Sequence, residues 1–174
     1  LVGDHDLQER LRDECRALGR GHEPASLDYD ALERLELCDR AHRETLRVNP
    51  PVPYILRSNI REVVVDGWTI PPDCNLSMSV RCAHADPTLW TDPTRFDPDR
   101  FAPDRAEHRN HPHAYMPFGT GAHRCLGAEF ARQQGLTFIY HLLMRHRVRG
   151  ERVQWLQLPI PRPRGRQLVT LEPV

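Results

Sequence analysis

One cysteine stands in a glycine-rich segment whose residues could bind a metal. The segment runs from Phe118 to Gly127, reads FGTGAHRCLG and contains Cys125. A helical apolar pattern follows directly, so the sulfur lies near a predicted helix N-terminus, where the helix dipole and free amides stabilise a thiolate. A thiolate is the form of cysteine that ligates metals. The segment lacks a Gly-Lys-Ser/Thr sequence, which excludes a phosphate loop of that type. A buried structural thiol is the alternative.

Two further segments carry charged residues at informative spacings. Glu44 and Arg47 are three residues apart, which puts a carboxylate and a guanidinium on one face of a predicted helix. Arg100 lies between Phe96 and Phe101 in a proline-rich stretch. Considered alone, such charges are typical of a solvated surface, where an ion pair contributes less than about 1 kcal/mol.

The elements that must position these residues change type along the chain. The spacing of Leu7, Leu11 and Cys15 predicts a first amphipathic helix. A second helical stretch, in one or two pieces, runs over 28–49 and ends before Pro50, because proline disfavours helical geometry in the preceding residue.

After the second helix the pattern alternates, as in β-strands. Residues 60–70 predict a hairpin around Asp66-Gly67, and 76–80 predict a half-buried strand. Four prolines make 85–105 an irregular meander. The cysteine segment leads into a helix to about residue 145, apolar enough to be buried on most sides, and 153–171 predict edge strands or a hairpin.

Composition excludes several functional classes. The 174 residues contain 24 basic and 24 acidic side chains, and this zero formal charge gives no footprint for nucleic acid. Five widely spaced cysteines without a C-x-x-C pair predict reduced, intracellular thiols. No run of 18 apolar residues predicts a membrane span. The chain begins without Met, and we expect it to be a piece of a longer protein.

Together, in this order and spacing, the three segments resemble the C-terminal half of a cytochrome P450. The family pattern F-x-x-G-x-[RH]-x-C-x-G is matched at each fixed position: Phe118, Gly121, His123, Cys125 and Gly127. Glu44 and Arg47 match the E-x-x-R helix of the family, and Arg100 matches its meander arginine. The resemblance implies an α+β, mainly α fold over 1–174 as a single piece. Its parts would be the E-x-x-R helix, a small β-sheet, the meander, the cysteine-ligand loop and a buried helix, with the N-terminal half of the fold absent.

The resemblance also implies an activity and its participants. A haem-thiolate monooxygenase inserts one oxygen atom of O2 into a substrate, here an apolar organic molecule. The cofactor would be haem b, and the electrons would come from a ferredoxin or a flavin reductase. Because the family's proton-delivering helix belongs to the absent half, the isolated chain is expected to be inactive.

Site residues follow from the same resemblance. Cys125 would be the axial thiolate ligand of the haem iron. The expected cofactor contacts are His123 and Arg57 at the propionates, with Phe118, Gly119 and Gly127. The expected substrate-pocket residues are Val52, Pro53, Tyr54, Ile55 and Leu56. Glu44, Arg47 and Arg100 would form a buried structural salt-bridge cluster. An electron-transfer protein would dock near Arg105, Arg109, Arg124 and Arg132.

Other interpretations stay open at this point. One is a stand-alone haem-binding or sensor module without oxygen activation. A second is a metal site at His108, His111 and His113, although their spacing lacks the H-E-x-x-H pattern of zinc proteases. A third is a structural protein without a cofactor. All 24 basic side chains are arginine and none is lysine. This usage favours a cytoplasmic bacterial protein, with a membrane anchor on a longer parent as the alternative.

Overall fold

The structure is a computed structural model, and it describes residues 3–18, 27–150, 155–156 and 162–174. The described α-helices are α1 (His5–Leu18), α2 (Tyr29–Glu33), α3 (Glu36–Val48), α4 (Val80–His84) and α5 (Ala128–Arg145). The described strands are β1 (Tyr54–Ser58), β2 (Val63–Val65), β3 (Trp68–Ile70), β4 (Asn75–Ser79), β5 (His146–Gly150), β6 (Trp155–Leu156), β7 (Arg162–Pro163) and β8 (Val169–Pro173). Mixed helices and small sheets confirm the α+β class.

The main core lies between α1, α3 and α5, which pack their apolar faces together. Leu11, Cys38 and Leu136 are fully buried there. The carboxylate of Glu14 on α1 accepts hydrogen bonds from the amides of Leu37 and Cys38, at 2.6 and 2.8 Å. These amides belong to the first turn of α3 and have no partner within their own helix. The predicted helical stretch over 28–49 thus forms two helices, with a break between Glu33 and Glu36.

The strands form four antiparallel pairs among the described residues. The predicted hairpin is confirmed as β2 and β3, with Asp66 and Gly67 at φ +48° and +79° in the turn. Strand β1 pairs with β4, which ends at Ser79, so Val80 begins a helix instead of completing the predicted strand. The predicted tail strands appear as the pair β6 and β7 and as β8 beside β5, whereas 153–154 and 157–161 lie outside the described residues.

Helix α5 is buried along one face only. Leu136, Tyr140 and Leu143 are fully buried against α1 and α3. Phe130 and Phe138, in contrast, are 70% and 66% exposed, so the prediction of burial on most sides is wrong for this helix. No helix in the described ranges is both long and apolar enough to cross a membrane.

The meander between α4 and the cysteine segment is held by its own small core. Trp90, Phe101 and Ala114 are buried together, and the Trp90 indole donates to the Ala83 carbonyl at 3.0 Å. A 3₁₀ turn at Pro98–Phe101 packs on α3 and carries Arg100 inward. These anchors give the proline-rich stretch a defined path although it contains no long helix or strand.

Candidate functional site

The cysteine segment folds into a tight loop that presents Cys125 to solvent. Gly119 and Gly121 have φ of +74° and +68°, a region that residues with a Cβ rarely adopt. The amide of Cys125 donates to the Phe118 carbonyl at 2.9 Å and closes the loop. Helix α5 begins at Ala128, so the exposed sulfur lies just ahead of a helix N-terminus.

Cys125 borders a cleft of about 740 Å³ that brings most of the predicted site together. One wall comes from the cysteine loop and the other from β1 and the residues before it. Its lining includes these predicted residues: Cys125, His123, Phe118, Gly119, Arg57, Val52, Tyr54, Ile55 and Leu56. The volume lies in the range of small-molecule and cofactor sites.

Two predicted site residues do not line this cleft. Pro53 is buried behind it, and its carbonyl accepts a hydrogen bond from the Val80 amide at 2.9 Å. This cleft does not support the prediction that Pro53 lines the pocket, because Pro53 is buried and is not part of the cleft lining. Gly127 lies at the N-cap of α5 with φ −83°, where any residue is allowed. A Cβ at Gly127 would lie 3.8 Å from the Cys125 sulfur, an ordinary contact distance.

The cleft combines an apolar wall with two nitrogen-rich side chains. Val52, Tyr54 and Leu56 expose 56%, 41% and 70% of their surface, an unusual display of apolar side chains along one strand and its approach. Arg57, beside them, is also exposed, and its guanidinium donates to the Leu56 carbonyl at 2.8 Å. His123 is exposed on the loop opposite. A flat apolar ligand with acidic substituents matches this lining.

Glu44, Arg47 and Arg100 form a cluster of buried charges. The Arg47 guanidinium donates to both oxygens of Glu44, at 2.7 and 2.8 Å, and Arg100 Nε donates to Glu44 Oε1 at 3.1 Å. All three side chains are at most 1% exposed. Both guanidinium groups also donate to backbone carbonyls of the meander, Arg47 to that of Pro93 and Arg100 to that of Thr91, each at 2.9 Å. The cluster thus clamps the meander to α3.

A second acid, Glu107, completes this cluster and was not found in the sequence. Glu107 Oε2 accepts from Arg100 at 2.8 Å and from the Thr91 amide at 3.0 Å. Burial opposes ionisation of Glu107, but hydrogen bonds from Arg105 and Thr91 outweigh it and hold its pKa below the ordinary value. One signal in the sequence could have indicated a second acid. Arg100 has five guanidinium protons, which are more than Glu44 alone can accept.

A second cavity of about 720 Å³ shares Phe118 and Cys125 with the cleft. Arg124 and Arg132, two of the four predicted docking arginines, line it. Arg132 is already paired with Glu33, Asp39 and Glu129, and Arg105 is paired with Asp97 and Glu107. In the parts of the chain that the structure describes, Arg109 and Arg124 form no ion pair.

The three histidines of the alternative metal site point to different partners. The His108 ring packs on Phe101, with 5.4 Å between ring centroids, whereas His111 Nδ1 accepts from the His113 amide at 3.1 Å. Within the described ranges, no group of three or more His, Cys, Asp or Glu side chains is arranged to hold a metal ion. The cysteine loop is therefore the better candidate for metal ligation.

Comparison with known proteins gives matches along the whole chain. The family model described as Cytochrome P450 matches residues 1–169. The chain is similar to putative cytochrome P450 136 of Mycobacterium tuberculosis, at 33% identity over 99% of this chain and 35% of that protein. It is similar to putative cytochrome P450 120 of Synechocystis sp., at 35% identity over 98% and 39%. Human cytochrome P450 4F2 is 33% identical over 100% and 34%.

A solved structure has the same fold. The structure titled "Retinoic acid bound cyanobacterial CYP120A1" superposes with a TM-score of 0.92 at 33% identity, covering 100% of this chain and 40% of that one. The chain therefore spans between about a third and two fifths of the length of these relatives.

Proposed function

The chain belongs to the cytochrome P450 family of haem-thiolate monooxygenases, and from this premise we propose that it is the C-terminal haem-binding part of such an enzyme. The single observation that carries the proposal is the exposed Cys125 thiol on the cleft that Arg57 and His123 border. The residues of this cleft fit haem b in donor type, charge and polarity. When bound, thiolate-ligated haem supplies the activation of dioxygen.

Cys125 is the proposed iron ligand. Its sulfur lies just before the N-terminus of α5 and borders the cleft. Phe118 lines both cavities beside this sulfur, and its proposed role is to limit the access of water to the sulfur when haem is bound. Gly119 keeps the loop backbone close to the cleft, since its positive φ excludes most other residues.

Arg57 and His123 are the proposed partners of the two haem propionates. They come from opposite walls of the cleft, one on β1 and one on the cysteine loop. Charge-assisted hydrogen bonds from such side chains to a carboxylate contribute roughly 1.5–3 kcal/mol each. Their role is to orient the ligand in the cleft.

The apolar wall of the cleft is the proposed substrate surface. Val52, Tyr54, Ile55 and Leu56 offer no charged group to a substrate. The relative of known structure was solved with retinoic acid, which is an apolar chain with one carboxylate. We therefore choose retinoic acid as the first substrate to test.

Electron delivery is proposed to use the exposed arginines near the cysteine loop. Arg109 and Arg124 are solvent-exposed, and among the described residues neither is neutralised by a carboxylate. An acidic ferredoxin or flavin reductase would find complementary charge there. Arg105 and Arg132 contribute less, because both are held in internal ion pairs.

An absorption spectrum of the reduced, CO-bound protein tests the ligand assignment. Thiolate ligation shifts the Soret band to the red, and Cys125→His should abolish this shift while haem stays bound. Cys82→His is the matched control, because Cys82 is also exposed but lies on α4 away from the cleft. A wild-type protein that binds no haem would contradict the proposal.

Turnover is proposed to require more chain than these 174 residues. The chain spans about a third of the length of its full relatives. We expect haem-loaded chain alone to show no sustained hydroxylation with a redox partner, and a version extended to the length of the relatives to show it. Thiolate-ligated haem without turnover in the extended protein would favour a sensor module instead.

A further inference from the structure

His84 is a buried histidine that no site motif includes. It is the last residue of α4, and only 1% of its surface is exposed. Its Nε2 lies 2.9 Å from the amide nitrogen of Met116, and its Nδ1 lies 3.1 Å from the carbonyl oxygen of Arg47. The ring stacks on Tyr115 with 5.5 Å between centroids.

These two contacts fix the tautomer of the ring. The Met116 amide is a donor, so Nε2 of His84 must be unprotonated and accept. The proton of a neutral imidazole then resides on Nδ1, which donates to the Arg47 carbonyl. Both partners are backbone groups, so no side-chain rotation elsewhere restores either bond if the ring is lost.

The groups that His84 joins belong to different walls of the site. Arg47 lies in the last turn of α3, and its guanidinium also donates to the His84 carbonyl at 2.6 Å. Val80, at the start of α4, lines the cleft and bonds to Pro53. Met116 lines the cleft too, and the cysteine loop follows it. The ring and its helix α4 therefore link three parts of the site: the strand wall, the buried charge cluster, and the residues that lead into the cysteine loop.

We propose that His84 is a positioning residue. Its Nε2 fixes the Met116 amide and thereby the position of the cysteine loop relative to the strand wall of the cleft. The consequence for iron ligation rests on the proposed function, whereas the consequence for the loop itself does not. His84 touches neither the sulfur nor the cleft, so its effect passes through the backbone of 116–118.

Two substitutions separate the two ring nitrogens. His84→Gln places an acceptor oxygen where Nε2 stands, so it keeps the bond to Met116 and gives up the one to Arg47. His84→Asn places an amide where Nδ1 stands, so it keeps the bond to Arg47 and gives up the one to Met116. Leu143→Ala is the control for general destabilisation, because Leu143 is fully buried in the α1–α5 core, away from the cleft.

Amide hydrogen exchange at Met116, measured without haem on the whole chain, is the first readout. We expect exchange at least about tenfold faster in His84→Asn, because a hydrogen bond on a partly buried amide is lost. His84→Gln and Leu143→Ala should stay within a few-fold of the parent. Equal acceleration in all three variants, or none in His84→Asn, would overturn the proposal.

The second readout is the fraction of haem with the thiolate-type spectrum. It should fall in His84→Asn and stay near the parent value in His84→Gln and Leu143→Ala; a fall of the same size in all three variants would overturn the role in ligation. A parent protein without that spectrum contradicts the proposed function, and the exchange measurement still decides the role of His84. Nitrogen-15 NMR of the parent ring provides a test without any variant: a proton on Nε2 would overturn the proposal, and one on Nδ1 supports it.

Discussion

The guanidinium of Arg47 donates to both carboxylate oxygens of Glu44, and neither side chain is more than 1% exposed. The i,i+3 spacing of these residues, considered alone, is typical of a surface ion pair. Here it joins two buried side chains. Its charges are balanced locally by Arg100 and Glu107 and by carbonyls of the meander. A buried pair of this kind is sensitive to the loss of one partner, because the other charge stays behind without solvation.

We expect Glu44→Gln to destabilise the fold by about 3–5 kcal/mol, since it leaves two buried guanidinium groups without their shared anion. Urea denaturation followed by circular dichroism measures this loss. Arg10→Ala is the control, because the Arg10–Asp99 pair is 53% and 39% exposed and should cost less than about 1 kcal/mol. Similar losses for the two variants would contradict the assignment of Glu44 as the centre of a buried cluster.

Acid should weaken the fold before the carboxylates of Asp97 and Glu107 are protonated. Burial lowers the pKa of His84 from 6.5 to about 4, and burial also lowers that of His108 to about 4. Between pH 4 and 6.5, both imidazoles therefore bind fewer protons in the folded protein than in the unfolded protein. The stability from neutral His84, about 3 kcal/mol, is fully present above pH 6.5 and is lost as the pH falls towards 4.

Urea denaturation across this pH window measures the effect. The charges near His84 include the Arg47 guanidinium, which further disfavours an imidazolium. His84→Gln should flatten the pH dependence of stability, and the remaining slope should reflect His108 and His42, because burial lowers the pKa of both. The carboxylates of Asp97 and Glu107 have lowered pKa values and lose their contribution only at lower pH. An unchanged slope in His84→Gln would rule out this account.

The sequence-based predictions succeeded where a residue type and its spacing are sufficient evidence. Asp66-Gly67 accepts positive φ values and produced the expected turn, and the glycines before Cys125 produced the expected loop. The buried state of Glu44 was predictable only through family resemblance, because its spacing to Arg47 is equally common on surfaces.

The predictions failed where tertiary contacts decide the outcome. Counting apolar residues in α5 could not show that Phe138 faces outward while Leu136 faces inward. Glu107 and His84 escaped notice because each bonds to a backbone amide remote in sequence, that of Thr91 and that of Met116, which no local pattern identifies.

Loss of Arg57 should weaken haem retention. Removing a charge-assisted hydrogen bond to a propionate costs roughly 1.5–3 kcal/mol, so Arg57→Leu should release haem at least about tenfold faster. Transfer of haem to an excess of an acceptor protein measures this rate. Arg61→Leu is the matched control, because Arg61 is exposed in the turn after β1 and does not line the cleft. Equal release rates for the two variants would contradict the role of Arg57.

Gly135 permits the close approach of α5 to α3. A Cβ at Gly135 would lie 2.6 Å from Nδ1 and Cε1 of His42, so either the imidazole or the helix must shift. Alanine favours a helix over glycine by about 1 kcal/mol. We nevertheless expect Gly135→Ala to destabilise the protein by about 1–3 kcal/mol, the usual cost of overpacking.

A double-mutant cycle isolates this contact. In a His42→Ala background the obstructing ring is gone, and Gly135→Ala should become neutral or stabilising, because only the gain in helix propensity remains. Gln134→Ala is the control in both backgrounds, since Gln134 is an exposed neighbour on α5 and should change stability by under about 0.5 kcal/mol. If Gly135→Ala lowers the stability equally with and without the imidazole, the loss arises within α5 and not from a contact with His42.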